Sequence, residues 1–188
     1  MQALGIVLVS ILAAVVYGIV HDQVTARVCV EYFTIGHPPV FATDNPTLLG
    51  IGWGIIATWW VGAMLGVPRA IVARAGRFPK RDVKSLIRPI AILMTVNAIC
   101  AALAGTIGYV AAKRGWLRLP DFVAISVPTD KQVPFMADLW AHNSSYAISF
   151  IGGMIVVAFV WRSRIRASQR RHERNRDSIP DMLSNPSS

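Results

Sequence analysis

Apolar and polar residues alternate along this chain in blocks much longer than a strand or a surface helix requires. Four blocks, at residues 4–20, 48–67, 89–112 and 146–161, are made almost wholly of aliphatic, aromatic and small side chains. At 1.5 Å per helical residue, each approaches the length needed to cross about 30 Å of hydrocarbon. The pattern predicts an all-α transmembrane protein, a four-helix bundle in one membrane domain over residues 1–177. Its outer loops are 21–47 and 113–145 and its cytoplasmic loop is 68–88. Residues 178–188, polar and with two prolines, predict a disordered tail.

The connections carry weaker signals. After Gln23, the residues Val24, Ala26, Val28 and Val30 alternate with Thr25, Arg27, Cys29 and Glu31, which predicts an extended strand. Val20, Val24 and Val28 also recur at helical spacing, so helix is the competing reading. Val123, Ile125 and Val127 alternate in the second outer loop. The two segments together predict a small extracytoplasmic cap containing two short strands. Residues 78–88 have the composition of a short basic amphipathic helix, suited to anionic lipid headgroups at the cytoplasmic face. Val24, Thr25 and Ala26 mimic a signal-peptide cleavage site. The first block lacks a basic leader and is longer than a usual signal core, so it is expected to remain as a span.

Two spans carry features of their own. Gly50, Gly54, Thr58, Gly62 and Gly66 recur every four residues in the second span, a small-residue face that lets another helix approach closely. Packing inside the bundle is the expected use, with contact to a second copy as the alternative. Asn97, alone and strongly polar in the third span, is expected to hydrogen-bond across to another helix. No block carries a central Asp, Glu, Lys or Arg, which argues against an ion-coupled transporter.

Charge changes the picture by its distribution. Of nineteen basic residues, fourteen lie in two segments. Arg69, Arg74, Arg77, Lys80, Arg81, Lys84 and Arg88 follow the second span. Arg162, Arg164, Arg166, Arg170, Arg171, Arg174 and Arg176 follow the fourth. The positive-inside rule places both segments and both termini in the cytoplasm of a cell whose plasma membrane the protein spans. Topology accounts for most of the net charge of +9, so nucleic acid is not the expected partner. The expected partners are the bilayer itself and a second copy or another membrane protein. The two cysteines, Cys29 and Cys100, fall at different depths and imply no disulfide.

No phosphate loop, dinucleotide glycine motif, nucleophile elbow or zinc-protease motif is present. Topology instead gathers His21, Asp22, Glu31, His37, Asp138 and His142 at the outer face. Imidazoles and carboxylates there suit a divalent transition metal, or acid–base work. The same six suit helix-end hydrogen bonds and local pairs, such as Asp138 with His142 one helical turn away.

The run Tyr17-Gly-x-x-His21-Asp-Gln-Val-Thr25, followed by Glu31-Tyr-Phe33, resembles a segment of small, uncharacterised bacterial integral membrane proteins. The resemblance covers chiefly the first third of the chain. It implies a bacterial cytoplasmic-membrane location and no mechanism. The sequence therefore predicts a non-enzymatic structural, assembly or accessory subunit, the alternative being a membrane enzyme or metal- or ligand-binding protein that uses the outer cluster.

Overall fold

Helix extends well beyond each apolar block. In a computed structural model that describes the backbone of residues 1–183 and the side chains of residues 1–176, α1 is Gln2–Val28, α2 Val30–Thr34, α3 Pro46–Ile56 and α4 Trp59–Arg74. Then follow α5 Lys84–Lys113, α6 Asp121–Ala124, a 3₁₀ turn at Thr129–Lys131, and α7 Gln132–Leu183. Four stretches, Gln2–Val28, Pro46–Arg74, Lys84–Lys113 and Thr129–Arg176, are long and apolar enough to cross a membrane. Of the tail expected to be disordered, α7 takes in the residues up to Leu183, and 184–188 lie outside the described residues.

The expected strands are not found: among the described residues the structure is all-α. Residues 24–28 continue α1, and the competing helical period explains why. Val20, Val24 and Val28 are 62%, 61% and 46% exposed along one face, while Asp22, Thr25 and Ala26 are buried. The helix breaks at Cys29, whose φ of −151° is extended, and α2 turns back over the bundle end. Residues 121–124 form the single turn α6, with Ile125 exposed and Val127 buried. The cap is thus built from short helices and loops around Tyr32, Phe33, Trp53, Leu119, Val127 and Phe135.

The basic segment at 78–88 is likewise not a separate amphipathic helix. Residues 78–82 are irregular, and Lys84 begins α5 directly, with Asp82 Oδ1 accepting from the Ser85 amide at 3.0 Å. Asn45 is the N-cap of α3, accepting from the Thr47 and Leu48 amides, with Pro46 in the first turn.

Packing follows the small-residue faces. A Cβ on Gly54 would lie 2.6 Å from the Ile19 Cα, and one on Gly62 would lie 2.6 Å from the Ile11 Cα, so α3 and α4 meet α1 backbone to backbone. Gly50 meets Asp22 and Gln23, Gly66 meets Val7 and Ser10, and Thr58 packs on Gly18. Gly105 and Gly108 give α5 the same close approach to α7 at Ala137 and Met136. Asn97, fully buried on α5, donates to the Ser149 hydroxyl on α7 at 2.7 Å. Asn97→Ala is expected to cost about 1 kcal/mol, the usual range for a polar bond between membrane helices; reversible unfolding in mixed micelles would measure it.

Two apolar clusters close the bundle at its ends. One is the cap cluster. The other, at the basic end, joins Ile6, Ala70, Ala73, Leu86, Ile90, Leu93, Val156 and Val160. Polar side chains occupy the space between them.

That basic end is fastened by Arg164, a fully buried side chain on α7. Its Nε donates to the Pro79 carbonyl at 2.9 Å, and its Nη2 to the Ala75 and Phe78 carbonyls at 2.7 and 2.9 Å. Its Nη1 also donates to the Val72 carbonyl. These carbonyls belong to the last turn of α4 and the loop beyond it, where a helix leaves acceptors without intrahelical donors and a negative dipole end. A guanidinium supplies both the donors and the charge.

Candidate functional site

Two helices bring the polar cluster together. On α1 the buried residues Ile6, Ser10, Gly18, Asp22 and Ala26 are spaced by multiples of four, which fixes Asp22 inward. Tyr17 and His21 share the neighbouring face, one turn apart with their rings stacked at 5.7 Å. On α7 the residues Asp138, His142, Ser145 and Ser149 form an equivalent polar face. The Tyr17 and Ser145 hydroxyls hydrogen-bond at 2.8 Å, tying the helices together just below the cluster.

Geometry fixes the tautomer of His142. Its Nδ1 lies 2.8 Å from the Asp138 carbonyl, an acceptor only, so Nδ1 carries a proton. Its Nε2 then faces Asp22 Oδ1 at 3.2 Å. In a neutral imidazole this Nε2 is a lone pair, and two lone pairs do not face each other at that distance without a cation between or upon them. That cation is a proton or a metal ion. The His21 ring stands edge-on to His142 with centroids 4.6 Å apart, and its Nε2 is buried with no protein partner. One ligand atom from each of His21, Asp22 and His142 lies within 4.8 Å of the others.

The other three candidates lie outside this group. Asp138 is buried and supplies its carbonyl to orient His142, while its carboxylate Oδ2 has no protein partner. Glu31 pairs with Lys131 at 3.2 Å, clasping α2 to the 3₁₀ turn. The His37 Nδ1 donates to the Tyr32 carbonyl at 2.8 Å, and its ring packs between Phe33, Tyr32 and Trp53. Burial lowers the His37 pKa, which keeps the ring neutral. The Cys29 thiol, 3.4 Å from Glu31 Oε2, is pushed up to about 12 by burial, so it is no thiolate nucleophile.

A cavity of about 60 Å³ runs from the cluster into the bundle. His21, Asp22, His37, Trp53 and His142 line it toward the cap. Tyr17, Thr58, Ser145 and Ser149 follow, and Ser10 and Arg69 line its far end. At roughly 10–15 Å³ per water centre the space holds a few waters, and its polar walls suit them. Arg69 is a functional candidate that reading the sequence missed, because it counted among the basic residues of the cytoplasmic side. One signal in the sequence does point to it: it follows Gly66 by three residues, on the small-residue face that packs inward.

The fold and the cluster define an all-α protein with four membrane-length helices and an internal polar cavity. No protein-family model, no curated protein and no solved structure matches the chain.

Proposed function

We propose that this protein spans a bacterial cytoplasmic membrane four times, with both termini inside, and holds a divalent transition metal through His21, Asp22 and His142 near the outer face. Membrane embedding is supported by the bands of exposed large apolar side chains, such as Leu4, Leu8, Leu12 and Val16 on α1, which a bilayer solvates and water does not. Orientation is supported by the charge asymmetry between the two ends.

One observation carries the metal reading: nitrogen and oxygen ligand atoms of three residues converge, with His142 held by Nδ1 so that its Nε2 faces Asp22. Two imidazoles and a carboxylate, with a cavity on the remaining side, match the ligand set of zinc sites that keep one position for water or substrate. The second reading, a structural clasp between α1 and α7, is favoured by the direct His142–Asp22 contact. It leaves the buried Nε2 of His21 without a partner.

Purified protein equilibrated with zinc and then dialysed is expected to retain about one ion per chain, with His21→Ala and His142→Ala each losing most of it. Binding should weaken as pH falls, because protons compete with the metal for its ligand atoms. Cobalt absorption of the unmodified protein gives a readout independent of variant folding, since nitrogen–oxygen ligation at a four-coordinate site intensifies its visible bands. Equal zinc content in all variants, or a cobalt spectrum identical to the aqueous ion, would sink the proposal.

A further inference from the structure

Arg69 lies on α4 at the far end of the cavity and is 3% exposed. Its Nη1 donates to the Ser10 hydroxyl at 3.3 Å, a neutral and weak partner. Its Nε and Nη2 are buried and no protein group accepts from them. Among the described residues no carboxylate pairs with it; the ion pairs there are Glu31 with Lys131 and Asp22 with His142. Contrast Arg164, equally buried, whose three nitrogens are all spent on carbonyls. Two buried arginines in one bundle have thus been treated in opposite ways.

Which atoms of Arg69 are left over matters. Nε–H and the adjacent Nη2–H point the same way and form the side-on fork that grips two oxygens of a carboxylate or phosphate at once. A buried cation without a counter-charge is among the costliest features a fold can carry. Here the uncompensated edge belongs to a residue that lines the far end of an internal polar cavity. From this we infer that the cavity binds an oxyanion, a carboxylate or a phosphate, in bidentate contact with Nε and Nη2 of Arg69, with the Ser10 hydroxyl holding the guanidinium in place. His21 follows Ser10 by eleven positions on α1, about 16 Å at helical rise, so this site is distinct from the metal ligands and does not depend on them.

The same chemistry is offered by a free anion and by the phosphate of a lipid headgroup, and the experiment separates them. Purified protein in neutral detergent with EDTA is titrated with inorganic phosphate and with acetate at constant ionic strength against chloride, following thermal unfolding. In parallel, protein from phosphatidylglycerol nanodiscs is delipidated and retained lipid is read by native mass spectrometry. The unmodified protein is expected to show a saturable rise in unfolding temperature, or one retained phosphatidylglycerol. Arg69→Lys keeps the charge and loses the fork, and should weaken the response by roughly tenfold. Arg69→Gln should abolish it. A response to phosphate or acetate identifies a free oxyanion, and retention of lipid alone identifies the headgroup. Should Arg69→Gln fail to fold, Arg69→Lys decides. No response of the unmodified protein to any of the three probes overturns the inference, as does a response equal in Arg69→Lys.

Discussion

Arg164→Ala is expected to destabilise the bundle by about 4 kcal/mol, because it removes a buried charge-assisted donor set and leaves several carbonyls beneath the cluster unpaired. The acceptors lie 85 to 92 residues away in sequence, so the loss should loosen the junction between α4, α5 and α7 and not α7 itself. Arg164→Lys tests the mechanism. One ammonium keeps the charge near the end of α4 but cannot span the Val72, Ala75, Phe78 and Pro79 carbonyls, so an intermediate loss is expected. Equilibrium unfolding in mixed micelles would measure both. A loss below about 1 kcal/mol for the alanine variant, the range of an ordinary surface ion pair, would mean that the carbonyls find water instead.

The second large effect is expected at Gly54. A methyl group there meets the Ile19 Cα and amide nitrogen at 2.6 Å and the Gly18 carbonyl carbon at 2.8 Å, all backbone, so relief requires α1 and α3 to move apart. Gly54→Ala should cost about 2–3 kcal/mol, overpacking outweighing the gain of up to about 1 kcal/mol in helix propensity. Gly153→Ala is the control. The three atoms nearest its added methyl all belong to the Leu65 side chain, which can rotate away, and its cost should stay well below that of Gly54→Ala. Similar losses in both variants would show that the stripe is not a contact of unusual closeness.

Spans were legible because hydrocarbon thickness imposes a length that shows as four apolar blocks. Their ends were not, because polar residues continue the helices: Gln23 and Arg27 on α1, Lys84 and Arg88 on α5, and Gln132 to Ser145 on α7. A period of two and a period of four coexist over 20–30, and the choice fell to which side chains a neighbour buries. Asp22 faces His142 on α7 and Ala26 packs into the cap cluster, and nothing in a single strand's alternation encodes that. In the cluster, position at one bundle end allowed His21 and Asp22 to be set against Asp138 and His142. Only the helical phase distinguishes His142, whose ring reaches Asp22, from Asp138, which contributes a carbonyl. Arg69 and Arg164 were hidden for one reason: a charge-balance argument treats basic residues as interchangeable. Both nonetheless extend buried stripes, Gly62 and Gly66 toward Arg69, and Val156 and Val160 toward Arg164.

The aromatic roof over the cluster bears on time as well as on structure. Tyr32 lies 4.5 Å from the His142 ring and 5.2 Å from Phe135, with Phe33 and His37 beside it, so packed rings on α2 and its loop cover the site on the cap side. An ion beneath that roof would exchange no faster than those rings part. What a purified sample holds would then record where the protein had been, more than the buffer it was last placed in.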